Sequence, residues 1–215
     1  MQTFTTVGYG HISPSSILVS SIAAFEAFLG LLSFALASGL FYGRFSKPRA
    51  FLHFSDFAVI APFKDGNALM FRTVPYKNNH LMDAEVKLTI GLKEKIDGEI
   101  KNTFYTLDVE FAKINALILN WTIVHPINQD SPIYGMSIED LKQANAEIIV
   151  YLKAYDEGFS NYVIARTSYT ADEIIEGAKF KPMYYTTENL TILEIDKISD
   201  FERTKLHSIK QPVSE

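Results

Sequence analysis

Near the start of the chain stand Thr5-Thr6-Val7-Gly8-Tyr9-Gly10. Their types and spacing suit one chemistry, the replacement of water around a small cation. A pore that passes a bare ion such as potassium must substitute protein oxygens for the hydration shell. Rings of backbone carbonyls do this, with a threonine hydroxyl at the inner end. Successive carbonyls point inward only with unusual dihedrals at alternate residues, which glycine adopts at low steric cost. Gly8 and Gly10 have that alternation, leaving Val7 and Tyr9 to brace the segment from behind. Thr6, Val7, Gly8, Tyr9 and Gly10 are therefore the candidate ion-coordinating set. The competing reading is a Gly-Tyr-Gly turn in an exposed loop, because short glycine motifs also arise by chance.

Such a set needs a membrane element to hold it. Residues 17–43 carry one charge, Glu26, and exceed the roughly 20 apolar residues that a bilayer core requires. In a signal peptide basic residues precede the apolar run; here Arg44, Lys47 and Arg49 follow it. The positive-inside rule then puts the C-terminal end of this helix in the cytoplasm and the glycine motif on the far side. A buried helix of a soluble domain is the alternative, and the length and the basic cluster argue against it.

The 215 residues are 47% hydrophobic, enough for a real core beyond the span. A net charge of −5 argues against nucleic acid as partner, and the absence of cysteine excludes disulfides and thiolate metal sites. After Pro48 the texture is that of a β protein. Runs at 57–63 and 68–74 flank Lys64-Asp65-Gly66-Asn67, a hairpin signal in which Asp-Gly makes the turn. Residues 83–96 alternate, with Val86, Leu88, Ile90 and Leu92 on one face. Further strands are expected at 104–111, 116–125, 147–155, 161–170 and 189–195, a spacing that suggests a sandwich or barrel. Capping boxes at Ser137/Asp140 and Thr170/Glu173 predict short helices, the second stopped by Gly177, and Ser199/Glu202 predicts a last one. His53, His80, His125 and His207 show no metal-ligand spacing. No nucleophile–base set, phosphate loop or paired-carboxylate motif supports an enzyme.

The glycine motif resembles the potassium-channel selectivity filter, and its place directly before a membrane helix makes the resemblance specific. Residues 121–135 (WTIVHPINQDSPIYG) and 168–180 (SYTADEIIEGAKF) resemble two cytoplasmic motifs of inward-rectifier potassium channels. Residues 70–86 and the linker at 43–50 resemble further stretches of that family. The similarity is closest to the prokaryotic branch and runs to about residue 205. It implies a fold of membrane α plus all-β: filter and inner transmembrane helix, then an immunoglobulin-like β-sandwich in the cytoplasm. The implied segments are 1–14 (end of pore helix and filter), 15–45 (inner helix), 46–55 (linker), 56–205 (sandwich) and 206–215 (tail). It also implies a homotetramer in the cell (inner) membrane, with potassium as permeant ion and no cofactor.

Carried over residue by residue, the resemblance implies potassium at Thr6, Val7, Gly8 and Tyr9. Gly30 matches the inner-helix glycine proposed as a gating hinge; as a residue it reads equally as a packing glycine. Phe34, Ser38 and Tyr42 share one helix face. Phe34 stands where strongly rectifying members carry an acid, so that site is lost here. Phe34 and Tyr42 look like apolar constrictions that close the pore by dewetting, or else ordinary packing aromatics. Glu26 is expected behind the filter in a structural role. Arg44, Lys47 and Arg49 lie where the family meets anionic phospholipid headgroups, worth roughly 1 kcal/mol each, and serve equally as a positive-inside anchor. Asp97 and Glu99 read as a solvated turn. His125 reads as structural, and Pro75 stands where relatives often carry asparagine. The sequons at Asn120 and Asn189 carry no meaning on a cytoplasmic domain. By the resemblance, only Met1–Phe4 would belong to a pore helix, and the family's outer helix is expected to be missing from this chain. The chain is thus expected to be a truncated channel subunit that does not conduct alone. The alternative is a non-conducting, membrane-tethered β-sandwich interaction module.

Overall fold

The computed structural model describes residues 4, 10, 15–77, 79–96, 98–188 and 190–207. It forms two compact units, residues 1–47 and 48–215.

The first unit is built on one helix, α1 (Ile17–Phe45), of 29 residues. Ser16 caps it in an extended conformation, its hydroxyl accepting from the Val19 amide at 3.4 Å. No proline interrupts it until Pro48, and Ser46 closes the last turn onto the Tyr42 carbonyl. At 1.5 Å per residue it is roughly 43 Å long, more than the hydrocarbon thickness. It is the one described helix long and apolar enough to cross a membrane. Its side chains are apolar around the whole circumference and only Gly30 is buried, the pattern of a helix whose cover is lipid or other subunits.

The second unit is mostly strand. In chain order it has β1 (Leu52–Phe54), β2 (Ala58–Phe63), β3 (Gly66–Pro75), β4 (Leu81–Ile96), β5 (Glu99–Leu107), β6 (Lys113–Leu117) and β7 (Trp121–Ile127). After the short helix α2 (Ile138–Gln143) come β8 (Glu147–Asp156), β9 (Asn161–Thr170), β10 (Ile174–Glu176), β11 (Ala178–Phe180), β12 (Tyr184–Thr186), β13 (Thr191–Leu193) and β14 (Phe201–Arg203). One sheet has β3 as its spine, with β7 on one side and β2 and β1 end to end on the other. The second sheet has β4 as its spine, with β8 and then β9 on one side and β5 and β6 on the other. Their facing sides make one core, in which Leu69 and Phe71 of β3 meet Val86, Leu88 and Ile90 of β4 and Ile148, Val150 and Leu152 of β8. The alternation expected at 83–96 is what buries that face. The result is an immunoglobulin-like sandwich. β2 is buried on both faces because Ala178 and Phe180 of β11 pack on its outer side against Val59 and Ala61.

Five local expectations are corrected. The β2–β3 turn is Lys64-Asp65, with Lys64 at φ 52; Gly66 is already the first residue of β3, opposite Phe63. The strand expected at 104–111 ends at Leu107. The run 116–125 is two strands, because Leu117 pairs with Leu81 in one sheet while Trp121 pairs with Thr73 in the other. Residues 118–120 carry the chain between layers. Thr170 and Glu173 do form their capping box, yet it holds a single 3-10 turn, Ala171–Glu173. Ile174 and Ile175 then pair in parallel with Ala58 and Val59 instead of continuing a helix. The helix expected after Ser199 is β14, paired with β11. The Ser199 hydroxyl accepts from the Asp56 amide and donates to the Asp56 carboxylate, both at 2.9 Å.

Candidate functional site

Thr6, Val7, Gly8 and Tyr9 lie outside the described residues, as do Asp97 and Asn189. Gly10 is described. It is exposed, with φ +81 and open space where a Cβ would stand, a backbone conformation that glycine alone adopts readily.

On α1 the structure distinguishes Gly30 from the rest of the helix. A Cβ added there would lie 2.2 Å from the Phe4 carbonyl oxygen and 3.0 Å from its Cα. The Phe4 backbone thus seats on the helix at this residue, which is the close approach that a packing glycine provides. Phe34 and Tyr42, on the opposite count, touch little of their own chain, being 74% and 76% exposed. Ser38 between them is exposed as well. Glu26 is half-buried and is not without a partner. Arg44 falls in the last turn of α1, where a cation also favours the helix C-terminus. Arg44, Lys47 and Arg49 are all exposed.

In the sandwich the family-like stretch 121–135 is organised by His125, which is buried. Its Nδ1–H donates to the Asp108 carbonyl at 2.5 Å, and its Nε2 accepts from the Ser131 hydroxyl at 2.8 Å. Burial holds its pKa below the usual histidine value, against the opposing pull of the Asp108 carbonyl. The imidazole is therefore a neutral clamp joining β7 to the loops at Asp108 and Ser131. Of the other histidines, His53 stacks on Tyr76 at 4.2 Å and His80 faces Glu157 at 3.7 Å. The backbone of His207 is bound at both ends by the Asn67 amide, at 2.9 and 3.0 Å. Among the described residues no three His, Cys, Asp or Glu side chains are placed to hold a metal ion. Glu99 is exposed beside Lys101. Pro75 ends β3 opposite Leu52, where the missing amide leaves a strand terminus intact. Asn120 is half-buried.

Three buried polar groups were not singled out from the sequence. Tyr169 donates to the Ser55 carbonyl at 2.8 Å across 114 residues, and burial lifts its pKa to about 12. Arg72 is buried under the Phe180 ring at 4.6 Å, its Nε and Nη1 without hydrogen-bond partners among the described residues. Burial lowers its pKa to about 10. Asp156 is buried at the end of β8. A polar residue amid strand alternation was the one available hint for Arg72 and Asp156.

An apolar span followed by a two-sheet sandwich defines a membrane-anchored subunit with a folded extramembrane domain. Residues 52–214 match the family described as Inward rectifier potassium channel C-terminal domain, and residues 1–47 match the family described as Ion channel. The chain belongs to the inward rectifier potassium channel family. It is 34% identical over 187 residues to the inward rectifier potassium channel Kirbac3.1 of Paramagnetospirillum magnetotacticum, covering 86% of this chain and 63% of that one. It is 31% identical to the ATP-sensitive inward rectifier potassium channel 12 of Gallus gallus, covering 88% of this chain and 46% of the relative. The inward rectifier potassium channel irk-1 of Caenorhabditis elegans is also 31% identical, with 85% and 36% covered. The chain thus spans about half the length of the curated relatives it matches. Among solved structures, the sporulation control protein Spo0M of Bacillus subtilis aligns with 10% identity over 60% of this chain and 50% of that one, at a TM-score of 0.30, which carries no argument.

Proposed function

We propose that this chain is a subunit of a tetrameric, potassium-conducting channel of the inward-rectifier type, with Thr6, Val7, Gly8, Tyr9 and Gly10 as its filter. The carrying observation is a coincidence of order: a Thr-Val-Gly-Tyr-Gly stretch directly ahead of a 29-residue apolar helix, in a chain whose remainder matches the inward rectifier C-terminal domain. One chain supplies one quarter of a carbonyl ring, so fourfold assembly follows from the coordination chemistry. The positive φ of Gly10 supports the backbone alternation that inward carbonyls need. Potassium is the permeant substrate and not a resident cofactor.

In this reading α1 is the inner helix. Phe34 and Tyr42, bare on one face of it, narrow the pore towards its cytoplasmic end and gate it by dewetting. Gly30 anchors the filter's lead-in segment to that helix. Arg44, Lys47 and Arg49 face anionic headgroups of the inner leaflet of the cell membrane, and the sandwich lies in the cytoplasm as a vestibule. The test is reconstitution in liposomes, with the residues ahead of this chain supplied from Kirbac3.1. Barium-sensitive potassium efflux from particles of four chains is expected. Single-chain particles without efflux would leave only a membrane-tethered interaction module.

A further inference from the structure

Past β14 the chain runs on as a strap that is gripped at two points by its main chain. Thr204 donates its amide to the Gly177 carbonyl at 2.9 Å. Three residues further on, the Asn67 side chain holds His207. Asn67 Nδ2 donates to the His207 carbonyl at 2.9 Å, and its Oδ1 accepts the His207 amide at 3.0 Å. One side-chain amide thus meets both polar groups of a single backbone residue, as a neighbouring antiparallel strand would. Such a grip is indifferent to the side chain of the residue it holds.

Leu206 lies between the two grips. It is partly buried and packs on the main core, while Lys205 and His207 are exposed. With Ile60, Ile127, Ile133, Met136 and Leu141 it lines a cavity of about 680 Å³. Those five residues belong to β2, β7, the loop after β7 and α2, so the apolar wall exists without the strap. Main-chain grips on either side of one apolar anchor are the layout by which proteins recognise an extended peptide. The main chain supplies the hold and the side-chain pocket supplies the selectivity.

We propose that Asn67 and this apolar wall form a recognition site for an extended peptide that carries leucine immediately before the gripped residue. The chain's own residues 204–207 are the resident ligand, a strap that releases and reseats while the sandwich stays folded. Release is a local event. It breaks the Asn67 grip and uncovers one partly buried side chain, leaving the β11–β14 pairing and the sandwich core in place. The short connection to β14 holds the strap at a millimolar effective concentration, so it excludes a free peptide until its anchor is weakened.

The test uses the full chain in detergent micelles and, as probe, the peptide acetyl-Thr-Lys-Leu-His-Ser-amide, which repeats residues 204–208. The readout is the side-chain amide signal of Asn67. In Leu206→Ala the resident anchor is gone, and the probe is expected to move that signal saturably at millimolar concentrations. Its apparent affinity for Leu206→Ala is expected to exceed that for the unmodified chain by at least about tenfold. A probe with alanine in place of its leucine is expected not to bind. No saturable binding to Leu206→Ala overturns the proposal, as does equal affinity for the unmodified chain or equal binding of the alanine probe. If Leu206→Ala does not fold, hydrogen exchange in the unmodified chain decides. The His207 amide is expected to exchange at least about 100-fold faster than the core amide of Val150. Exchange of both at one rate would mean that the strap leaves only on global unfolding, and would overturn the proposal.

Discussion

The Phe4 carbonyl oxygen occupies the place where Gly30 would carry a side chain, 2.2 Å from an ideal Cβ. A residue proposed as a hinge is thus also the seat of Phe4, a few residues ahead of the proposed filter. Gly30→Ala is expected to push Phe4 off α1. Overpacking of this kind costs about 1–3 kcal/mol, and here the displaced atoms are backbone. The expected result is a lower thermal midpoint of the reconstituted protein together with loss of flux. An oligomer of unchanged stability that merely opens less often would favour the hinge instead.

His125 predicts an acid limb in the stability profile. Its folded pKa is lowered by burial, while the unfolded side chain titrates near 6.5. Below that value the unfolded chain binds a proton that the folded chain refuses, so stability is full above about 6.5 and falls as pH drops towards the folded pKa. Denaturant titrations of the full chain between pH 8 and about 5 check this. His125→Asn should flatten that limb and, by leaving Asp108 O or Ser131 Oγ unmet, lower stability at pH 8 by about 1–3 kcal/mol.

Tyr169→Phe removes the hydroxyl that donates to the Ser55 carbonyl at 2.8 Å. That carbonyl belongs to the break between β1 and β2, while Tyr169 belongs to β9 of the other sheet, so the bond crosses the sandwich. A loss of about 1–3 kcal/mol is expected in thermal or denaturant unfolding. Ser55 Oγ, which donates to Phe57 O at 2.8 Å, keeps its own partner.

Arg72 carries the opposite expectation. Its guanidinium is buried beside the Phe180 face, with Nε and Nη1 unmet among the described residues. Arg72→Met preserves the stem and removes the charge, and should leave the thermal midpoint unchanged or raise it. Replacing buried charge by well-packed apolar groups is neutral or stabilising by about 1–4 kcal/mol. A marked fall in the midpoint would show that an anion meets Arg72 in the assembled protein.

Sequence patterning revealed what local physics controls. α1 is legible because a bilayer fixes its length and polarity, and β4 because one buried face imposes strict alternation from Val86 to Leu92. It failed where a distant partner decides. Thr170 and Glu173 cap a helix or a single turn with the same atoms, and the parallel partner at Ala58–Ile60 chose the turn and a strand. Residues 116–125 look continuous because both halves are β-prone, and only the change of sheet at 118–120 breaks them. Ser199 signalled a cap and serves Asp56, 143 residues away, instead. At the candidate site, the aromatic face of α1 followed from i, i+4 spacing. The seat of Phe4 on Gly30 needed the folded backbone.

Thr6–Gly10 is proposed to select potassium. The most direct measurement is the relative permeability of potassium and sodium in the reconstituted channel, for the unmodified chain and for Gly10→Ala, whose φ of +81 disfavours any side chain. A strong preference for potassium that Gly10→Ala reduces or abolishes is expected. Sodium passing as readily as potassium through the unmodified channel, or full selectivity retained in Gly10→Ala, would contradict it.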